Sequence, residues 1–248
     1  MSLFGRPGVS AAVLVLALLA IWEAVFLIAG PMAIASPAAT VAYLASHGHD
    51  LGQHIRTTGA AFLAALAIAI AGGLLIGLLA GLGVAASETV EPLFLAANSI
   101  PKIALYPMVL LLFGTGLPAK VAFGAIHGVI PVAIFTMNAC RGVPPVLLKT
   151  ASVLRLSPAE RIRRILLPAA LPMVLTGVRL GFSLTLIGVI LGEMFGSQSG
   201  LGYLLMTSIG LQNTDAIMAV TVLLIVFAAS VSTALLTWER RLRRERGQ

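Results

Sequence analysis

His47, His49, Asp50 and His54 lie close together in one polar stretch, and imidazole and carboxylate groups are what a zinc ion takes as ligands. Their spacing is irregular and no second cluster accompanies them, so solvated side chains are the simpler reading and no metal is assigned. Ser199 and His127 are the residue types of a nucleophile and its base, the pair an intramembrane serine protease would need. Glu23, Arg179 and Glu193 fall inside or at the ends of apolar runs, where a charge costs about 2.5–3.5 kcal/mol on insertion scales. A self-sufficient channel or secondary carrier would use such groups for coupling. Glu23 can equally hydrogen-bond to a neighbouring helix. On one helix, Arg179 and Glu193 would stand about 21 Å apart and on nearly the same face, and the guanidinium could attract an anionic solute, snorkel or cap carbonyls. Cys140 is the single cysteine, which excludes an intramolecular disulfide and leaves a small apolar side chain to pack.

These residues are embedded in a chain of 248 residues that is 59% hydrophobic and 10% charged, with a mean hydropathy of +1.03. That composition excludes an ordinary soluble protein and predicts an all-α integral membrane protein. Apolar runs at 9–29, 59–85, 92–113, 119–139, 169–191 and 216–238 predict six transmembrane helices. The net charge of +7 does not point to nucleic acid, because most basic residues sit in one central loop and in the tail. With both termini cytoplasmic, Arg6, Arg141, Lys149, Arg155, Arg161, Arg163, Arg164, Arg240, Arg241, Arg243, Arg244 and Arg246 lie inside, and Arg56 and Lys120 flank outer loops. That satisfies the positive-inside bias. It also places Ser199 and His127 near opposite faces of the membrane, too far apart for a proton transfer that needs about 3 Å. Arg6, the first apolar run and Ala33-Ile34-Ala35 resemble a secretory signal, but the run suits a retained span of about 20 residues better.

The organisation expected is a first helix and outer segment (1–54), a transmembrane core (55–240) and a basic cytoplasmic tail (241–248). Within the second run, Ala61, Ala65, Ala69, Gly73, Gly77 and Gly81 make every fourth position small, which lets helix backbones approach closely in lipid. They could face another span or a second copy. The third run is broken by Pro101 and Pro107 with Lys102 between them. Irregular backbone at membrane depth persists where protein or water satisfies the freed groups, so these residues are candidates to line a path; a kink with a snorkelling lysine would look the same. His127 reads as a packed histidine.

The loop 140–168 interrupts the hydrophobicity. Ser157-Pro158-Ala159-Glu160 has the form of a capping box, predicting a short helix that carries Arg161, Arg163 and Arg164 and stops at Pro168. Before it, Pro144 and Pro145 open another short helix, with Leu147, Leu148, Ala151 and Leu154 on one face and Lys149, Ser152 and Arg155 elsewhere. A basic elbow of two short helices suits pressing against another protein. The chain has no G-x-x-x-x-G-K-[ST] phosphate loop, so any ATP would be bound by a partner.

The end of this elbow, Ile165-Leu166-Leu167-Pro168, resembles the signature loop of binding-protein-dependent ABC importer permeases, whose pattern is Glu-Ala-Ala, three residues, Gly, nine residues, Ile-x-Leu-Pro. Arg155 falls where that pattern has Gly, and Lys149-Thr150-Ala151 where it has Glu-Ala-Ala. The stretch from Ile100 to Pro107 followed by Phe113-Gly114, the segment Thr176-Gly177-Val178-Arg179, and Glu193 ahead of Ser199-Gly200-Leu201-Gly202-Tyr203 are similar to the nitrate, sulfonate and taurine branch. The resemblance covers roughly 55–240. It implies a type I ABC importer transmembrane domain in the bacterial inner membrane and a second permease subunit, as in a homodimer. It also implies two cytoplasmic ABC ATPase subunits that alone bind ATP, and an extracytoplasmic solute-binding protein that sets most of the solute choice. No cofactor would belong to this chain, which would be a transport subunit rather than an enzyme. ATPase docking would fall on Leu147, Leu148, Lys149, Ala151, Leu154 and Arg155, with Pro101, Lys102, Pro107, Arg179 and Glu193 as pore candidates. Lys149 reverses the charge of the family's Glu, and Arg155 in a left-handed conformation would cost about 1 kcal/mol or more; both imply a matched ATPase.

Overall fold

A computed structural model describes residues 7–245, so Arg6, Arg246 and the rest of both ends lie outside the described residues. The chain is all-helical. Helix α1 (Pro7–Ala29) is followed by α2 (Pro37–Ser46), α3 (Gly48–Gly81), α4 (Val84–Ser99), α5 (Tyr106–Phe113), α6 (Leu117–Arg141), α7 (Pro145–Val153), α8 (Pro158–Arg161), α9 (Leu167–Gly196), α10 (Leu201–Gly210) and α11 (Thr214–Glu245). Among the described residues, five helices are long and apolar enough to cross a membrane, and a sixth crossing needs α4 and α5 taken together.

That sixth span is not a straight helix. Pro101 forces Ile100 before it into extended backbone, φ −67° and ψ 131°. After a short 3₁₀ turn at Lys102–Leu105, α5 leaves at 85° to α4. The outer segment is also more ordered than a polar loop. Ser36 caps α2 by accepting a hydrogen bond from the Ala39 N–H at 3.1 Å, with Pro37 in the first turn. Helix α3 then starts at Gly48 and carries His49, Asp50 and His54 on its first turns. At the other terminus α11 runs unbroken past position 240.

Helices α3, α6 and α9 form the core. The small stripe of α3 faces α6 of the same chain: a Cβ built on Gly77 would sit 2.5 Å from the Ala133 carbonyl oxygen, and one on Gly73 2.5 Å from Val132 Cβ. Only hydrogen fits, which is how two apolar helices reach van der Waals contact without a hydrophobic drive between them. Phe62, Phe182 and Phe227 join α3, α9 and α11, with Phe62 edge-on to Phe182 at 5.2 Å and to Phe227 at 6.0 Å. Helix α1 stands apart from this core. Its apolar window has no buried residue, and Trp22 Nε1 reaches across to donate to the Ala35 carbonyl at 2.9 Å.

Pro168 does not stop the helix that begins after Ser157. A π-turn at Ile162–Leu166 follows α8 and runs directly into α9, so the backbone is helical from Ala159 to Gly196. The Leu167 N–H reaches back to the Ile162 carbonyl, one residue further than in an α-helix. The wider turn is the kind of local adjustment that lets a helix continue past a proline whose missing N–H interrupts the regular ladder, and it brings Pro168 into the first turn of α9.

Candidate functional site

Two polar constructions stand at opposite ends of the core. At one end lies Glu193, fully buried near the end of α9, with Lys120 of α6 sealed beside it at 2% exposure. Lys120 Nζ is 3.4 Å from Glu193 Oε1 and donates to the Ser199 carbonyl at 2.7 Å. Glu193 Oε2 accepts from the Thr58 hydroxyl at 2.8 Å and from the Gly202 N–H at 2.9 Å. Thr58 Oγ1 in turn accepts from the Leu201 N–H at 2.8 Å, and His54 Nδ1 accepts from the Gly200 N–H at 3.0 Å. Residues from α3 and α9 thus satisfy the free N–H groups that open α10, Lys120 of α6 satisfies a carbonyl of the loop before it, and a carboxylate is the charge favoured there. The site fits glycine alone at two places. Gly200 has φ +115°, and its added Cβ would run into the Glu193 carboxylate; a Cβ on Gly202 would strike the Ile190 carbonyl. Tyr106, at the start of α5, donates to the Gly192 carbonyl at 2.5 Å and ties the bent span to the same corner.

The basic elbow lies at the far end of α6. The capping box is formed: the Glu160 N–H donates to Ser157 Oγ at 3.3 Å and the Ser157 N–H to Glu160 Oε2 at 3.1 Å. Helix α7 closes with a Schellman motif, in which the Leu156 N–H bonds the Ala151 carbonyl at 3.0 Å and the Arg155 N–H the Ser152 carbonyl at 3.1 Å. Its left-handed residue is Arg155, with φ +50°. The position where the family pattern has glycine is therefore strained here.

The apolar face expected on α7 points outward only in part. Ala151 is buried against the protein itself, whereas Val153 is 81% and Leu154 62% exposed, with Val146 and Leu147 also exposed. Lys149 and Arg155 are exposed as well. The side chain of Leu148 lies outside those described. Ala151 therefore supports α7 from beneath, and the outward surface comes from its neighbours.

The other candidates separate. Arg179 and Glu193 do not act on one face together; Arg179 Nε lies 3.6 Å from Glu239 Oε2 of α11, and Glu239 Oε1 accepts from the Thr176 hydroxyl at 2.7 Å. Lys102 donates back to the Asn98 carbonyl at 3.3 Å, with Pro101 and Pro107 exposed at the bend. Glu23 is exposed on α1 and has no partner among the described residues, so the hydrogen bond to a neighbouring helix is absent there. His127 Nδ1 donates to the Phe123 carbonyl at 2.9 Å, as a packed histidine does, and the backbone carbonyl of Ser199 accepts from Lys120 Nζ and from the Ser197 hydroxyl. Sequence alone carries no sign of Thr58 or Glu239, and it leaves Lys120 flanking a loop, whereas its ammonium is tucked beneath the loop at Ser199.

Residues 69–246 match the profile of the family described as binding-protein-dependent transport system inner membrane components. A Bacillus subtilis protein named for the transport of aliphatic sulfonates is 32% identical over 68% of this chain, which spans 62% of that relative. The taurine transport system permease protein of Escherichia coli is 26% identical over 77% of this chain and 70% of its own length. Among solved structures, an inward-facing methionine ABC transporter superposes with a TM-score of 0.68 over 77% of this chain and 95% of that one, at 21% identity.

Proposed function

Because the chain belongs to the family of binding-protein-dependent transport system inner membrane components, we propose that it is the permease subunit of an ATP-driven importer for a small anionic solute of the sulfonate, taurine or nitrate type. It works as one of two such subunits, with separate ATPase chains binding the nucleotide and docking on the elbow, and with a solute-binding protein delivering cargo at the opposite face. The elbow faces the cytosol.

One observation carries this reading: the second half of the elbow and α9 are a single stretch of helix. Displacement of α7 and α8 passes through the π-turn into a helix that carries Glu193 near its far end, under the loop of the far face. ATPase closure would thereby reach both ends of the bundle, which alternating access requires. The relatives named for sulfonate and taurine support an anionic cargo. A carrier coupled through Glu23, Arg179 and Glu193 finds no such support, since Arg179 and Glu193 are each committed to a different ion pair.

Reconstitution into vesicles with the cognate ATPase and binding protein tests the proposal. Uptake should require ATP and every partner. Solute flux through the chain alone, without ATP, would overturn it.

A further inference from the structure

At the basic end of the core a cavity of about 340 Å³ lies between α3, α6 and α9. Its lining is almost wholly apolar, with Leu75, Leu78, Cys140, Leu167 and Ala170 among the wall residues, and Leu75 and Leu167 are exposed. The slot therefore opens sideways, where a bilayer would be. One polar atom interrupts it: Thr136 Oγ1 is buried and has no hydrogen-bond partner. Leaving such a hydroxyl unpaired is costly, and it marks a place where an acceptor is missing.

The wall residue Leu167 continues directly from the π-turn. Residues about four apart share a helix face, so Arg163 lies one turn before Leu167, toward the elbow. Arg163 is exposed and forms no ion pair among the described residues, whereas Arg164 is held by Glu160 at 3.4 Å and Arg141 by Glu91 at 2.6 Å. An apolar slot with a lone hydroxyl on its α6 wall thus has an unpaired guanidinium one turn before its α9 wall.

We propose that this slot is a binding site for one anionic phospholipid: an acyl chain fills the cavity, an ester carbonyl accepts from Thr136, and the phosphate pairs with Arg163. Charge selects this occupant over a second copy of the chain. The elbow is strongly basic, so another copy brings like charge to Arg163, while an anionic headgroup brings the opposite one. The bound lipid sits against the π-turn that joins elbow to α9, and membrane composition thereby acts on that joint. This site does not depend on what drives transport.

The single cysteine makes the test direct, because Cys140 lines the slot. The full chain is placed in nanodiscs of phosphatidylcholine or phosphatidylglycerol, and its N-ethylmaleimide labelling rate is followed by mass. Labelling should be about fivefold slower in phosphatidylglycerol, the ratio one surface arginine contributes to anionic-lipid binding. Arg163→Gln should abolish the difference while leaving the phosphatidylcholine rate unchanged. Ala170→Phe, which fills the slot, should slow labelling equally in both lipids. Equal wild-type rates in the two lipids would overturn the site. So would protection that survives Arg163→Gln, which would be a general surface effect, or protection that follows the number of chains per disc, which would mark a second copy.

Discussion

Lys120 Nζ stands 3.4 Å from Glu193 Oε1 in a site closed to solvent, and the same carboxylate also receives the Thr58 hydroxyl and the Gly202 N–H. Two charges out of water are tolerated there because nearly every donor and acceptor around them is used. Breaking the pair from either side strands the other charge. Glu193→Gln or Lys120→Met should each lower stability by about 3–5 kcal/mol. The double variant should recover most of that loss, because it strands nothing. Thermal unfolding of all four proteins in one detergent closes the cycle; simple additivity would show the two residues to be independent.

Arg155 holds a left-handed backbone at φ +50°. Arg155→Gly should therefore stabilise the elbow by about 1 kcal/mol, seen as slower cleavage of the loop by trypsin-independent proteases such as thermolysin. Faster cleavage would mean that the arginine side chain contributes more than the strain removes.

The outward face of α7 should decide docking. Val153→Glu and Leu154→Glu should each reduce co-purification with the cognate ATPase at least about tenfold, as loss of an anchor at an interface does. Ala151→Leu should instead overpack the underside of α7 and destabilise the fold by about 1–3 kcal/mol. Undiminished association of both Glu variants would place the docking surface elsewhere.

Gly77 lies against the Ala133 backbone with no room for a methyl group. Gly77→Ile should force α3 from α6 and yield little monodisperse protein by size-exclusion chromatography. Gly59→Ala, where an added Cβ meets nothing, should behave as wild type.

Apolar runs made the helical bundle legible in the sequence, because length and hydrophobicity alone distinguish a span. Glu193 drew notice as a charge at the end of such a run. Lys120 did not, since a lysine at the start of a run reads the same whether it reaches to solvent or folds under a loop. Its partner lies 73 residues away, and Thr58 lies 135 residues from the same carboxylate; pairings at that distance leave no local pattern. The capping box at Ser157 was legible because its bonds span three residues. The expected stop at Pro168 failed for a related reason: proline ends a regular ladder, and the π-turn before it is a departure no neighbouring residue announces. Arg179 was visible as a charge, but its acceptor Glu239 sits in the next long helix, where it looked like part of the basic tail.

The isolation of α1 bears on how the molecule is made. No residue of its apolar window is buried, so that segment can enter the bilayer on its own greasiness as soon as it is synthesised. Helix α6 is the opposite case, carrying Lys120 and His127 inside its span. The counter-charge to Lys120 lies 73 residues further along the chain, on α9, so that part of α6 is compensated only once the carboxyl-terminal half is in place.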